Sequence, residues 1–473
     1  MINLLYVFLL SLWFCFLFYG TKLGIGVTLF ILPLSILIYY TLKKTNNIHN
    51  KKGLLIFIPI ILLSMTYGIF DNAFFKVVNF FIIIGLFILL YIMTIKPTFR
   101  MINIFGDVID ILLTPFEYIK EVKNDTIAKI SNKLHMNEKT KQKLKSFFIA
   151  LPIIIIILIL LSSADLIFNN LMNSIFNVPK NIIKNINISE IILRIIMIIV
   201  FFFYFSGTLY YLISNYKNED QEQEEKPKKV QTDTIKILLI SLNIIYFIFD
   251  IIQIKSLVFH SVGETITYAN YARQGFFQLM VVSFINLCVI LYSKRYNNKK
   301  DNNKIKVLSI IMVFLTFIII ISSFLRMYMY EEHYGYTVLR ILVYFALITE
   351  TICLLPTIIF IIKEKFNITK SFMIIIITMY VILNYINIDS LIAYRNIELY
   401  QTKKDIDISY LMNNHADNIP QLIRFSKKVK DKDTKWILKE YLKEQEYEMK
   451  DFREWNLSKM IAKQKLESVN ENG

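Results

Sequence analysis

Cysteine is scarce in this chain: Cys15, Cys288 and Cys353 are all it has among 473 residues. Each sits in an apolar stretch and no two form a CxxC pair, which excludes a disulfide framework and argues against a zinc site. Packing is the role expected of them. Charge is scarce too, at 19% of residues, where a soluble domain carries about a quarter. Glycine numbers only 12 and proline nine, so close helix packing on small residues has little to work with. An Ile-, Asn- and Lys-rich composition by itself lowers glycine, which halves the weight of that point. The sequence has no GxxxxGK[ST] phosphate loop, no GxSxG elbow and no HExxH helix. No catalytic residue, metal ligand or cofactor follows from it.

Long apolar runs are what the chain does have. Fully 55% of residues are hydrophobic and the mean hydropathy is +0.49. The sparse charges cluster between uncharged blocks, whereas a soluble fold alternates polar and apolar residues at helix or strand periods. Blocks of about 20 residues match a hydrocarbon core about 30 Å thick at the helical rise. They lie at 3–20, 23–42, 53–70, 74–95, 146–164, 190–214, 234–258, 275–293, 305–326, 337–362 and 371–388. Isoleucine runs such as Ile153 to Ile157 and Ile374 to Ile377 would favour strands in water. In lipid the backbone must satisfy its own hydrogen bonds, so helix prevails. The first block has neither a basic leader nor a small-x-small cleavage site and reads as a retained helix. The expected fold is an all-α polytopic membrane bundle of about eleven transmembrane helices with a helical C-terminal tail.

Positive charge orients such a bundle. Loops 43–52, 96–145, 215–233, 294–304 and 363–370 hold 26 Lys and Arg, against five in the alternate loops. Under the positive-inside rule the richer set is cytoplasmic, and so is the N-terminus. A cell-membrane location follows, with the tail from 389 onward outside. The net charge of +16 would suggest nucleic acid in a soluble protein, but no nucleic-acid-binding motif accompanies it. The partners expected are the lipid bilayer, anionic lipid headgroups at the cytoplasmic loops and an envelope protein.

The chain divides into a four-helix region (1–99), a cytoplasmic amphipathic loop (100–145), helices five and six (146–214), a polar linker (215–233), helices seven to eleven (234–388) and the tail (389–473). Phe105, Val108, Ile109, Leu112, Phe116 and Ile119 share one helical face, an interfacial helix by pattern. In the tail, Asp433-Thr434 is expected to cap a helix burying Ile437, Tyr441 and Leu442, and a second amphipathic helix starts near Trp455. Such helices must cover each other or lie back on the membrane.

An ionisable group in hydrocarbon is costly, about 2.5–3.5 kcal/mol on insertion scales, so each one marks a candidate site. Glu350 falls well inside the tenth block, with Cys353 and Thr357 on its face. Asp250 in the seventh has Asn243, Tyr246 and Gln253 in one stripe around it. Ser309, Thr316 and Ser323 recur every seven residues in the ninth and lead to Arg326, while Arg340 opens the tenth. One reading is a proton or ion relay among helices seven, nine and ten. The other has Arg326, Arg340 or Lys255 neutralise Asp250 and Glu350 and lock helix packing. On the predicted outer side lie Asp165, His260, Glu264, Arg273, Glu331, Glu332 and His333. They lack the spacing of a metal site and are read first as a solvated loop surface.

Four segments are similar to a known membrane family. Tyr271-Ala272-Arg273-Gln274-Gly275-Phe276-Phe277-Gln278-Leu279 resembles the YxRxGFxxL helix start of domain of unknown function 4173, related to the 4153 group. Leu325-Arg326-Met327-Tyr328 with Tyr334-Gly335-Tyr336-Thr337 and Arg340 resembles its hairpin. Asp389-Ser390-Leu391-Ile392-Ala393 with Asn396-Ile397, Asp407 and Tyr410-Leu411 resembles its post-membrane segment, and Trp455-Asn456-Leu457-Ser458 its closing motif. Leu166 and Ile388 stand where that family has proline. The resemblance spans roughly 140–465 and implies a multi-pass bacterial plasma-membrane protein with no assigned activity. All four motifs fall on one predicted side. The favoured function is therefore a non-enzymatic envelope sensor or assembly partner using Arg273, Arg326, Glu331, Arg340, Asp389, Arg395 and Asn396. The rivals are an ion- or proton-coupled transporter using Asp250 and Glu350, and a membrane enzyme acting on lipid-linked substrates through Asp165 or Glu331.

Overall fold

A computed structural model describes residues 4–44, 48, 50–95, 118, 121–122, 124–126, 188–213, 232–258, 276–296, 303–363, 366–403, 408–412 and 415–470. Among these residues there is no strand, and nine helices are long and apolar enough to cross a membrane. The helices are α1 (Leu4–Phe18), α2 (Gly26–Lys44), α3 (Phe57–Ile69), α4 (Ala73–Ile95), α5 (Ile188–Ile213), α6 (Thr232–Val258), α7 (Phe276–Tyr296), α8 (Asn303–Tyr334), α9 (Val338–Ile362) and α10 (Ile368–Tyr385). The tail adds α11 (Ile388–Lys403), α12 (Ile408–Met412), α13 (Ile419–Lys428), α14 (Lys432–Glu444) and α15 (Leu457–Asn470). Ten of the eleven expected blocks coincide with described helices. The fifth block, 146–164, lies outside the described residues, as do the amphipathic segment around Phe105–Phe116 and the linker 215–231.

The bundle is built inside out. Along the middle of α6 the exposed large side chains include Ile237, Ile244, Ile245, Phe247, Ile251 and Ile252, while Asn243, Asp250 and Gln253 are buried. A helix that turns its apolar face outward and its polar face inward is solvated by lipid, because water would impose the reverse. Pro356 sits inside α9, where lipid leaves the flanking residues no alternative to helix.

The chain forms two compact units. The first comprises Met1–Gly68, Val78–Lys217 and Met449–Trp455; the second comprises Ile69–Val77, Asn218–Glu448 and Asn456–Gly473. In the first, α1 packs on α2 and α5 through aromatic rings, with Phe30 5.0 Å from Phe14 and 5.8 Å from Phe205. In the second, α8 is the central helix, packed by α6, α7 and α9 around Leu239, Ile290, Met312, Ile320 and Leu347.

The second unit has another core, in which α11, α13, α14 and α15 pack together around Ile392, Ala393, Leu422, Phe425, Leu438 and Ala462. The tail helices therefore cover one another. Helix α14 starts two residues earlier than expected, with Asp431 accepting from the Thr434 N–H at 2.9 Å. Its buried face is Thr434, Leu438 and Leu442, and Ile437 is exposed. Counting i, i+4 back from Leu442 selects that row, about 100° of helix turn from the Ile437 row.

Candidate functional site

Within the second unit the polar side chains form two groups, one at a helix end and one inside the spans. At the helix end, Gly335 terminates α8 with φ +79°, donating its N–H to Glu331 O at 2.7 Å. This left-handed closure leaves the N–H of Tyr336 turned out of the helix. The carboxamide of Asn396 meets it: Oδ1 accepts from the Tyr336 N–H at 2.6 Å and Nδ2 donates to Tyr336 O at 2.9 Å. The Tyr410 hydroxyl accepts from the Val338 N–H at 3.2 Å. Arg340 donates to the carbonyls of Gly335 and Tyr334 and lies over the Tyr330 ring, 4.3 Å from its centroid. The hairpin and post-membrane motifs, read separately along the chain, thus meet in space.

Beside this clasp a carboxylate cluster joins the loop before α4 to three tail segments. Asp417, in the 3₁₀ turn Ala416–Asn418, accepts from the Asp71 N–H at 2.7 Å through Oδ2. Its Oδ1 takes the Ser458 hydroxyl and lies 3.4 Å from Asn387 Nδ2. Asp389 accepts from Asn72 Nδ2 at 2.9 Å. Asp71 is held by Lys76 at 2.7 Å and Lys459 at 3.3 Å. Asn456 caps α15 by accepting from the Lys459 N–H and donates to Phe70 O at 2.8 Å. Burial is the main cause that pushes the Asp417 carboxyl up to about 6; the Asp389 and Asp71 charges add to it, while the Ser458 hydroxyl and the Asp71 N–H oppose it. Burial also raises Asp389, against the pull of His415 and the Asn72 amide. Ser458 entered the sequence reading only as the last residue of the closing motif, and Asp71, Asn72 and Asp417 were not singled out. Only their position beside short polar turns could have signalled them.

Inside the spans α8 carries a buried ladder. Ser309, Thr316, Ser323 and Arg326 are all buried, as their spacing suggested. Asn243 of α6 donates to Leu308 O at 3.0 Å, Asn286 of α7 to Thr316 Oγ1 at 3.1 Å, and Ser323 to Phe276 O at 2.8 Å. Arg326 Nη2 donates to Gln253 Oε1 at 2.8 Å. Glu350 of α9 accepts from the Ser283 hydroxyl of α7, so helix α7, left out of the sequence-based relay, supplies three of its contacts, through Phe276, Ser283 and Asn286. Asp250 stands apart: only 2% of its surface is exposed, and among the described residues neither carboxylate oxygen has a hydrogen-bond partner.

Glu331 is fully buried near the end of α8. Among the described residues neither oxygen has a hydrogen bond of normal geometry, but the Tyr344 hydroxyl and the Arg340 and Arg395 guanidiniums act on it. Arg395 is exposed and pairs with Glu398 at 3.2 Å. Asp165, His260, Glu264, Arg273 and Asp407 lie outside the described residues. Among the described residues no cluster of His, Cys, Asp and Glu has metal-holding geometry, and all three cysteines are free thiols.

Apolar helices that face outward and bury their polar groups define a multi-pass helical membrane protein. The family model described as "Domain of unknown function (DUF4153)" matches residues 57–425, and the chain belongs to that family. The match runs from the start of α3 into α13 and stops short of the Trp455–Ser458 motif. Comparison with curated proteins and with solved structures yields no match.

Proposed function

We propose that the protein moves protons or small cations across the membrane through helices α6 to α9. The observation that carries this reading is Asp250. A carboxylate buried in a lipid-spanning helix, with neither oxygen hydrogen-bonded among the described residues, calls for neutralisation, because polar groups of this kind are rare and expensive in lipid. A proton or a cation supplies it. Glu350 with its Ser283 donor, and the ladder on α8, give the same bundle further polar stations between its two ends. The charge asymmetry of the loops supports a cytoplasmic N-terminus in the cell membrane, with anionic headgroups at the basic loops. The four-motif likeness supports a place near the 4173 group within the wider kinship.

The test is flux. Purified full-length protein in liposomes carrying an internal pH dye is given an imposed gradient of protons, sodium or potassium. Wild type dissipates one of the gradients, and Asp250→Asn does so much more slowly. Equal rates for wild type, Asp250→Asn and Glu350→Gln, at equal incorporation, would remove the reading.

A sensing role at the helix end has its own supporting observation. Asp417 joins three chain segments with a carboxyl that changes charge near pH 6. A protein partner bound there would feel the state of that junction. Binding of an envelope component to the wild type, unaltered in Asp417→Asn between pH 5 and 7, would speak against it.

A further inference from the structure

In the first unit, the segment Asp451–Trp455 is fastened to the turn between α1 and α2. Ile25 N donates to Trp455 O at 3.0 Å, and Lys22 N to Glu454 Oε1 at 3.0 Å. Gly24 is what lets the two backbones approach: a Cβ there would lie 2.6 Å from the Glu454 carbonyl. Arg453 is held twice, by Asp451 through Nε at 2.8 Å and by Phe16 O. Its guanidinium lies over the Phe16 ring, 4.9 Å from the centroid. Asp451 also accepts from the Arg453 N–H at 2.9 Å and so caps the 3₁₀ turn Phe452–Glu454.

This well-held turn presents Phe452 outward, with 59% of its surface exposed. Its ring lies 6.1 Å from Phe16, which stacks on Trp13 at 5.4 Å. Leu5, Leu9, Leu12, Trp13 and Phe16 are exposed and form one face of α1, a helix without a charged residue. Phe452 therefore continues the apolar face of α1 beyond its C-terminal end. Lys22, Arg453, Asp451 and Glu454 ring it at the level where the helix gives way to polar chain. An aromatic side chain above an apolar helix, edged by charges, has the chemistry of the boundary between headgroups and acyl chains.

We infer that Asp451–Trp455 is an interfacial anchor that inserts Phe452 into the bilayer beside α1 and holds this part of the C-terminal region on the lipid. The occupant of the exposed face is lipid because the face is continuous with the apolar surface of α1. A water-facing aromatic would gain nothing from a turn fastened so firmly beside α1. This inference concerns the first unit and is independent of any transport through the second.

The experiment uses full-length protein in vesicles, with Trp13→Phe, Trp436→Phe, Trp455→Phe and Phe452→Trp combined so that one tryptophan reports. With acyl chains brominated near the headgroup, its fluorescence falls by about half, since interfacial side chains sit about 5–10 Å into that boundary. Aqueous iodide leaves it unchanged. Adding Gly24→Val forces the segment off the turn and reverses both responses. Quenching by iodide but not by bromolipid overturns the inference. So does quenching by neither, which would assign the face to protein. Hydroxyl-radical labelling of the unsubstituted chain in vesicles gives a second reading. Phe452 is protected if it sits in lipid, and labelling to the level of an unfolded peptide overturns the inference whatever the variants do.

Discussion

Asn396 grips Tyr336 at both ends of one residue's backbone, accepting from its N–H at 2.6 Å and donating to its carbonyl at 2.9 Å. Only a carboxamide offers donor and acceptor at that spacing. Gly335 is bound to the same arrangement, because a Cβ there would sit 2.8 Å from Asn396 Oδ1 in a backbone already at φ +79°. Asn396→Ala leaves two backbone groups without their partners and should cost about 2–4 kcal/mol. Asn396→Asp keeps the acceptor but buries a charge, and should be no better. Gly335→Ala should destabilise by about 1–2 kcal/mol from backbone conformation alone. Thermal unfolding in detergent measures all three, and an unchanged midpoint for Asn396→Ala would show the clasp to be idle.

The Asp417 junction makes stability depend on pH in a direction opposite to most carboxylates. Its folded pKa lies at about 6, above the ordinary 3.8, so the folded state holds the proton more tightly than the unfolded chain. The stabilisation is complete below about pH 4 and is lost as pH rises through 6. From the size of the shift it amounts to about 2–3 kcal/mol. Asp389 acts in the same direction. Amide exchange of α15, which Ser458 ties to Asp417, should therefore quicken between pH 4 and 7 beyond its intrinsic rise. In Asp417→Asn the excess should vanish, and an unchanged excess there would place its source elsewhere.

The spans and the buried stripe of α8 were legible because lipid simplifies the problem. A run of about 20 apolar residues has one stable conformation there, and Ser309, Thr316 and Ser323 repeat every two helical turns. Their partners were not legible. Ser283 and Asn286 are single polar residues in an apolar helix, and nothing in their own neighbourhood points to Glu350 or Thr316. The carboxylate cluster was hidden for a different reason: Asp71 and Asp417 are 346 residues apart, and each alone resembles an ordinary turn aspartate. Asp389, Arg340 and Asn396 stood out from the sequence as a polar surface. In the structure much of their hydrogen-bonding capacity is turned inward, onto Asn72, the Gly335 carbonyl and Tyr336.

The ladder itself predicts a modest coupling. Asn286 and Thr316 are both fully buried and 3.1 Å apart. Interhelical pairs in lipid average about 0.6 kcal/mol, because the separated helices find other partners. A double-mutant cycle of Asn286→Ala and Thr316→Val should return a coupling of about that size. A value above about 2 kcal/mol would mean that the pair holds the helices together rather than lining a path.

Asp250 and Glu350 should separate stability from function. Asp250 has no hydrogen-bond partner to lose among the described residues, so Asp250→Asn removes an expensive buried acid and leaves unfolding unchanged or slightly harder. Glu350→Gln keeps the Ser283 contact in neutral form and should also fold. If both residues are stations for a moving proton or cation, each variant is lost to flux while remaining as stable as wild type. If they are packing groups, the opposite pattern follows: Glu350→Ala loosens α7 from α9, and flux tracks the fraction folded. Measuring unfolding and flux on the same preparations distinguishes the two. The decisive case is Asp250→Asn, where a stable protein that still transports at the wild-type rate would leave the orphaned carboxylate without a role in movement.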